Sequence, residues 1–169
     1  MSQPTPLRDS APSRPWMRRG GLLAVALLLA GADLFIKARA EAGLSRGEVI
    51  DVPLLTIKLL YNTGVAFSLG SALPTGVVVA GTGVIIAALL IWLAVSAPKM
   101  SRTALTGGTL VAGGAIGNFI DRLDGRGVVD YLHSGWFPTF NLADVFVTVG
   151  TVVLVLGMLW AGKDPETAE

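Results

Sequence analysis

The sequence predicts an all-α integral membrane protein with four transmembrane helices and a small extracytoplasmic β-cradle. Three observations carry that prediction. The 169-residue chain is 52% hydrophobic and only 15% charged, whereas a soluble domain carries about 25% charged residues. The apolar excess is gathered into blocks, and about 20 apolar residues cross a bilayer core as a helix. Between the first two blocks lies a stretch of different character, rich in Val, Ile and Thr and broken by Pro53.

Residues 1–15 are rich in Ser, Pro and Arg and read as a disordered cytoplasmic tail. The first span, about 17–37, follows the basic "WMRRG". A basic flank, an apolar run and the small-residue "AGA" also fit a cleaved signal peptide, but the later spans favour a retained helix. In "GEVIDVPLLTIKLLYNTGVAFSLG" the β-branched residues predict short strands, and "YNTG" a turn. This gives a β-cradle over about 46–70, whose edges need cover from helices or the membrane surface. The second span is about 74–97. The third, about 103–123, is Gly-rich, and Gly113 and Gly117 form a small-xxx-small pair suited to close helix packing. The fourth is about 141–161. One membrane domain, 16–162, is therefore expected, followed by a cytoplasmic tail at 163–169. Lys and Arg counts at the span ends nearly tie. With Lys37 and Arg122 discounted as partners of neighbouring acids, they favour both termini in the cytoplasm.

Composition also excludes chemistry. A net charge of +1 gives no argument for nucleic acid. The absence of cysteine removes disulfides, thiolate metal sites and cysteine nucleophiles. His133 is the single histidine, so no His-based metal site is expected. No GxSxG or HExxH motif occurs, and neither a metal nor a cofactor is expected.

What remains is a set of polar residues next to apolar segments, where each needs a reason. Asp33 and Lys37 stand four apart at the end of the first span, as an ion pair or as part of a site. Asn118 and Arg122 share a face at the end of the third span; Asp121 and Asp124 are expected to point elsewhere. Asp130, in "VVDYL", has apolar neighbours and reads as a carboxylate held against an apolar surface, where its pKa rises. In "FNLADVF", Asn141 is a good N-cap, and Asp144 three residues on completes a reciprocal capping pattern. Capping accounts for Asp144 alone. It does not account for Asp130 on the same side of the membrane a short loop away. Two carboxylates brought together share a proton, so that one activates a water while the other polarises a carbonyl.

The blocks "ADLFIK", "YNTGVAFSLG", "GGAIGNFIDRLDGRGVVDY" and "FNLADVFVTVG" closely resemble, in order, those of the bacterial lipoprotein signal peptidases, or type II signal peptidases. The resemblance implies an intramembrane aspartyl endopeptidase that cuts diacylglyceryl-modified prolipoproteins just N-terminal to the lipidated lipobox cysteine. It implies a catalytic pair of Asp130 and Asp144. It implies supporting or substrate-binding roles for Asp33, Lys37, Asn62, Gly64, Asn118, Arg122 and Asn141. It further implies residence in the bacterial cytoplasmic membrane with the site on the extracytoplasmic side, and inhibition by globomycin-type cyclic peptides. Diacylglyceryl-prolipoprotein substrates and membrane lipids are the expected partners, and a monomer is expected. Val65, Tyr131, Leu34 and Ile36 depart mildly from the family's usual residues, and the loop from Asp130 to Asp144 is short. A proton-conducting membrane subunit is the alternative without catalysis. It wants acids at mid-membrane depth, whereas Asp33, Asp130 and Asp144 fall at span ends on one side. A presenilin-like or prepilin-type protease wants a GxGD motif, which is absent.

Overall fold

The computed structural model describes residues 15–63 and 73–161. Along the chain run helix α1 (Pro15–Leu44), strands β1 (Ile50–Val52) and β2 (Leu55–Asn62), helices α2 (Thr75–Ser96) and α3 (Arg102–Arg122), strand β3 (Val128–His133) and helix α4 (Leu142–Ala161). The molecule is mostly helical with one small antiparallel sheet.

Helices α1, α2 and α4 are each long and apolar enough to cross a membrane. Their surfaces show why: Leu28, Phe35, Val84, Ile85, Ile91, Val95 and Leu159 are exposed, which suits lipid rather than water. Helix α3 has 21 residues, so it is about 31 Å long, but it is less apolar. It packs against α1, α2 and α4. Its buried positions are Ala104, Gly107, Gly108, Thr109, Ala112, Gly113, Gly114 and Gly117, nearly all small. A Cβ at Gly113 would lie 2.7 Å from Leu29 Cβ, and one at Gly117 would lie 2.7 Å from Asp33 Oδ2. The small-xxx-small pair therefore seats α1. On another face a Cβ at Gly114 would strike the Ala143 carbonyl of α4. Between α1, α2 and α3 sits an apolar cluster of Leu22, Ala26, Leu93, Ala97 and Ala112.

At the end of the bundle holding the α1 N-terminus, Arg18 donates to the carbonyls of Pro98 at 2.9 Å and Met100 at 2.7 Å, and Arg19 to that of Ala94 at 2.8 Å. Arg19 thus satisfies an orphan carbonyl in the last turn of α2, and Arg18 ties down the turn that follows it. Ser101 caps α3 by accepting from the Ala104 amide at 3.1 Å.

The sheet has the order β1-β2-β3, antiparallel throughout. Val52 faces Leu55 across a hairpin turn made by Pro53 and Leu54. Three expectations need correction. The cradle is not confined to 46–70, because its third strand is β3, which pairs Leu60 with Asp130 and Asn62 with Val128. "VVDYLH" is four buried residues followed by two half-buried ones, and such a short apolar run lacks the alternation that marks a strand in sequence. "YNTG" likewise starts inside β2 rather than in a turn, since Tyr61 and Asn62 are paired. Helix α1 also runs past residue 37 to Leu44, because nothing in "ARAEAGL" breaks a helix. The end of α1, the end of α3, the start of α4 and the sheet meet at one place.

Candidate active site

Asp130 lies mid-strand in β3 and is 1% exposed. Its Oδ1 accepts from Asn141 Nδ2 at 2.7 Å and its Oδ2 from Asn62 Nδ2 at 3.2 Å. Burial pushes its carboxyl up to about 6, helped by the charge of Asp144; the bonds from Asn62 and Asn141 oppose the rise. The adjacent Tyr131 phenol is pushed up to about 12, again mainly by burial.

Asp144 is half-buried in the first turn of α4. Asn141 donates its backbone N–H to Asp144 Oδ2 at 3.2 Å, and the Asp144 N–H donates to Asn141 Oδ1 at 2.9 Å. This is the reciprocal capping pattern expected of "NLAD". The other carboxylate oxygen, Oδ1, accepts from Asn118 Nδ2 at 2.8 Å. Asn141 thus touches both acids, through its side chain to Asp130 and its backbone to Asp144.

The two asparagines are oriented by donors that have no alternative. Lys37 offers only N–H groups. Its Nζ donates to Asn118 Oδ1 at 2.8 Å, so the amide nitrogen of Asn118 faces Asp144. Asn141 Nδ2 also donates to Asn118 Oδ1, at 3.1 Å. Lys37 is 1% exposed and pairs with Asp33 Oδ2 at 2.7 Å and with Asp121 Oδ2 at 2.9 Å. A buried ammonium requires such compensation. Asp33 reaches on to α4, where its Oδ1 accepts the Ala143 N–H at 2.9 Å. Arg122 donates from a guanidinium nitrogen to the Asn118 carbonyl at 2.8 Å, and its charge acts on Asp144 and Asp130.

Asp33, Lys37, Asn62, Asn118, Arg122, Asp130, Asn141 and Asp144 therefore share one site; Gly64 lies outside the described residues. Asp124 does point elsewhere, to Arg126 at 2.7 Å on the surface. Asp121 does not. It pairs with Lys37 and accepts the Val129 N–H at 3.1 Å. The signal that finds it is i,i+3 spacing from Asn118, which places it beside that residue on the helix just as i,i+4 places Arg122. Among the described residues, no three His, Cys, Asp or Glu side chains gather as metal ligands.

The site brings two unlike carboxyls to one asparagine, one buried and one half-open, both bonded to amides. Comparisons with known proteins bear on that chemistry. The family model described as signal peptidase (SPase) II matches residues 25–160. A lipoprotein signal peptidase of Mesorhizobium japonicum is 39% identical over 164 residues, covering 92% of this chain and 94% of that protein. One of Francisella tularensis subsp. novicida is 35% identical over 147 residues, covering 82% and 91%. A solved bacterial membrane enzyme superposes with a TM-score of 0.74 at 25% identity, covering 89% of this chain and 94% of that one.

Proposed function

The chain belongs to the signal peptidase II family, the peptidases that process prolipoproteins, and from that premise we propose that Asp130 and Asp144 are its catalytic pair. One observation carries the proposal: Asn141 binds both carboxylates at once, which holds them in a common geometry. Each carboxylate accepts two N–H donors, but Asp144 is half-open where Asp130 is buried, so Asp144 is the base. Asp130, buried and drawn up to about 6, carries the proton of the pair. Because the two acids interact, that proton belongs to the pair as a unit.

Asp144 takes a proton from the bound water as its oxygen attacks the carbonyl before the lipidated cysteine. Asp130 gives its proton to the carbonyl oxygen, forming a neutral gem-diol. Collapse breaks the C–N bond: the diol returns a proton to Asp130, and the proton on Asp144 passes to the leaving amine. Both acids end in their starting states, and the step consumes one water. Lys37, Asn118 and Asn141 supply fixed dipoles that need no rearrangement as charge develops.

In this reading α3 is a fourth span, less apolar than the others because α1, α2 and α4 shield it from lipid. Both termini lie in the cytoplasm, as Arg18, Arg19, Lys99 and Arg102 at one end of the bundle favour. The site then faces the extracytoplasmic leaflet, where a diacylglyceryl group stays in the bilayer while the scissile bond meets water. The protein acts as a monomer on diacylglyceryl-prolipoproteins, and globomycin-type peptides block the acid pair. The test follows signal-peptide release from a lipidated precursor by Asp130→Asn and Asp144→Asn. Each is expected to lose at least about 10³-fold in kcat, on the scale of removing a general acid or base. Near-normal release by either variant overturns the pair.

A further inference from the structure

We infer that a cleft between α1 and α3, at the end of the bundle away from the acid pair, binds an anionic phospholipid. One acyl chain lies in the cleft and the phosphate sits at Arg18.

The cleft has a volume of about 370 Å³ and runs along α1 from Met17 and Arg18 to Leu29, against Leu105 to Leu110 of α3. Packing explains why it is there. The two helices meet closely at Gly113, where a Cβ would lie 2.7 Å from Leu29 Cβ. About two turns earlier in α1 stands Gly21, and a Cβ there would meet nothing within 4 Å. Below Arg18 the wall is apolar apart from Thr106 and Thr109. Those two donate their hydroxyls to the Arg102 and Leu105 carbonyls of their own helix, at 3.0 and 2.8 Å, so no side-chain donor is left there to hold water.

The dimensions suit a lipid chain. From Met17 to Leu29 is about 18 Å of helix, a little over half of a hydrocarbon core about 30 Å thick. That is the reach of one leaflet. A spanning helix with its side chains is about 10–12 Å across, and over that length it needs far more room than the cleft has. Trp16 and Trp160 are both exposed at this end, and such aromatics mark the headgroup level. The end is shared because Arg18 reaches Met100, while the adjacent Ser101 donates to the Gly157 carbonyl of α4 at 3.1 Å.

Charge identifies the head group. Arg18 donates to two neutral carbonyls, so those bonds leave its charge without a counterion. The guanidinium fork has further N–H donors in a geometry that matches phosphate. Arg19, Lys99 and Arg102 stand at the same end, and no Asp or Glu occurs in 15–32, 73–120 or 145–161. Among the described residues, that end of the bundle therefore carries cations only. Basic pockets between membrane helices take anionic lipid head groups. A signal peptide is the wrong occupant, because its own n-region is basic. Lipid in the cleft joins α1 to α3 where direct contact stops, far from the acids that cleave.

The experiment equilibrates the full-length protein in micelles holding equal amounts of dioleoyl phosphatidylglycerol and dioleoyl phosphatidylcholine, which differ only in the head group. Retained lipid is counted by native mass spectrometry. The variants are Gly21→Leu, Arg18→Gln and, as a control at an equally open glycine of α2, Gly81→Leu. Each is also assayed for kcat and KM on a lipidated precursor in phospholipid-free detergent. The parent and Gly81→Leu are expected to keep phosphatidylglycerol over phosphatidylcholine by at least about fivefold, the scale of one basic residue at an anionic surface. Gly21→Leu fills the cleft and retains neither lipid. Arg18→Gln loses the head-group preference; if it does not fold, Gly21→Leu decides alone. All three keep the parent's kcat and KM. Equal retention of the two lipids by the parent overturns the proposal. So does a phosphatidylglycerol preference that survives in Gly21→Leu, which puts the lipid on surface charge rather than in the cleft. A raised KM in Gly21→Leu overturns it in favour of the substrate's signal peptide as occupant. The lipid counts do not depend on which residues cleave, so they stand or fall apart from Asp130 and Asp144.

Discussion

Helices α2 and α3 are nearly the same length, 22 and 21 residues, yet they are built on opposite rules. Helix α2 is apolar all round and buries only Val78 and Leu93. Helix α3 buries eight positions, all of them Gly, Ala or Thr, and ends in Asn118, Asp121 and Arg122. In water the more buried helix is the more apolar one. In a bilayer the lipid supplies the apolar surroundings, so the helix shielded from lipid is the one free to be polar. Packing there comes from close backbone approach rather than from exclusion of water. The polar end of α3 is possible because α1, α2 and α4 pack around it or carry the apolar surface.

That contrast breaks most readily at the glycines. Gly114 faces α4, where a side chain would meet the Ala143 carbonyl and Val147 Cγ2, the latter at 2.9 Å. Gly81 of α2 has nothing within 4 Å of the same point. Gly114→Leu is expected to abolish the folded protein, read as loss of the monodisperse peak in detergent size-exclusion chromatography. Gly81→Ala should instead be neutral or stabilising by up to about 1 kcal/mol, the helix-propensity difference. A tolerated leucine at Gly114 would mean that α3 and α4 do not pack closely.

A smaller effect separates stability from function at the site itself. Asp130 has a carboxyl raised from 3.8 to about 6 by burial. A raised carboxyl binds protons in the folded state that the unfolded chain has released. The fold is therefore favoured below about pH 4, and that advantage is lost as pH rises to about 6 and stays lost above. The span corresponds to roughly 3 kcal/mol. Asp130→Asn removes the penalty, so at pH 8 the inactive variant should unfold at a higher temperature than the parent, and the gap should narrow at pH 4. An equal unfolding temperature at both pH values would show that Asp130 is not a strained acid. The activity counterpart is an alkaline limb of kcat/KM near pH 6 in the free enzyme, absent if the pair titrates elsewhere.

The smallest effect belongs to the outer surface. Arg126 pairs with Glu41 at 2.8 Å and lies 5.4 Å from the Tyr61 ring centroid, with its side chain 57% exposed. Solvent screens such pairs, so they add little to stability. Arg126→Ala should leave kcat within about twofold and lower the unfolding temperature by a degree or two at most. A large loss would make the surface cluster part of the machinery that the buried cluster otherwise supplies.

The same physics decides what was legible in the sequence. Helices α2 and α4 were readable because lipid-facing segments must be apolar for their whole length, and both start and stop within two residues of expectation. Asn141 and Asp144 were readable because capping is local. Strand β3 was not, because its partner β2 lies some 70 residues earlier and nothing in "VVDYLH" points to it. Asp121 was missed because α3 was read at i,i+4 spacing from Asn118 alone, and the acceptor role that Asp121 plays toward Val129 exists only once β3 is placed. Local patterns announced the parts of the site; the joints between parts needed the fold.

Asn141 joins two acids carried by elements that enter the fold at different times. Asp130 arrives with β3, but Asp144 rides on α4, which is made after every other described helix. Before α4 is made, a nascent chain holds Asp130 without the acid that the proposed mechanism pairs with it. With Asp130 and Asp144 as the proposed pair, proteolysis has to wait for α4, and the helix that packs against α3 is also the one that completes the pair.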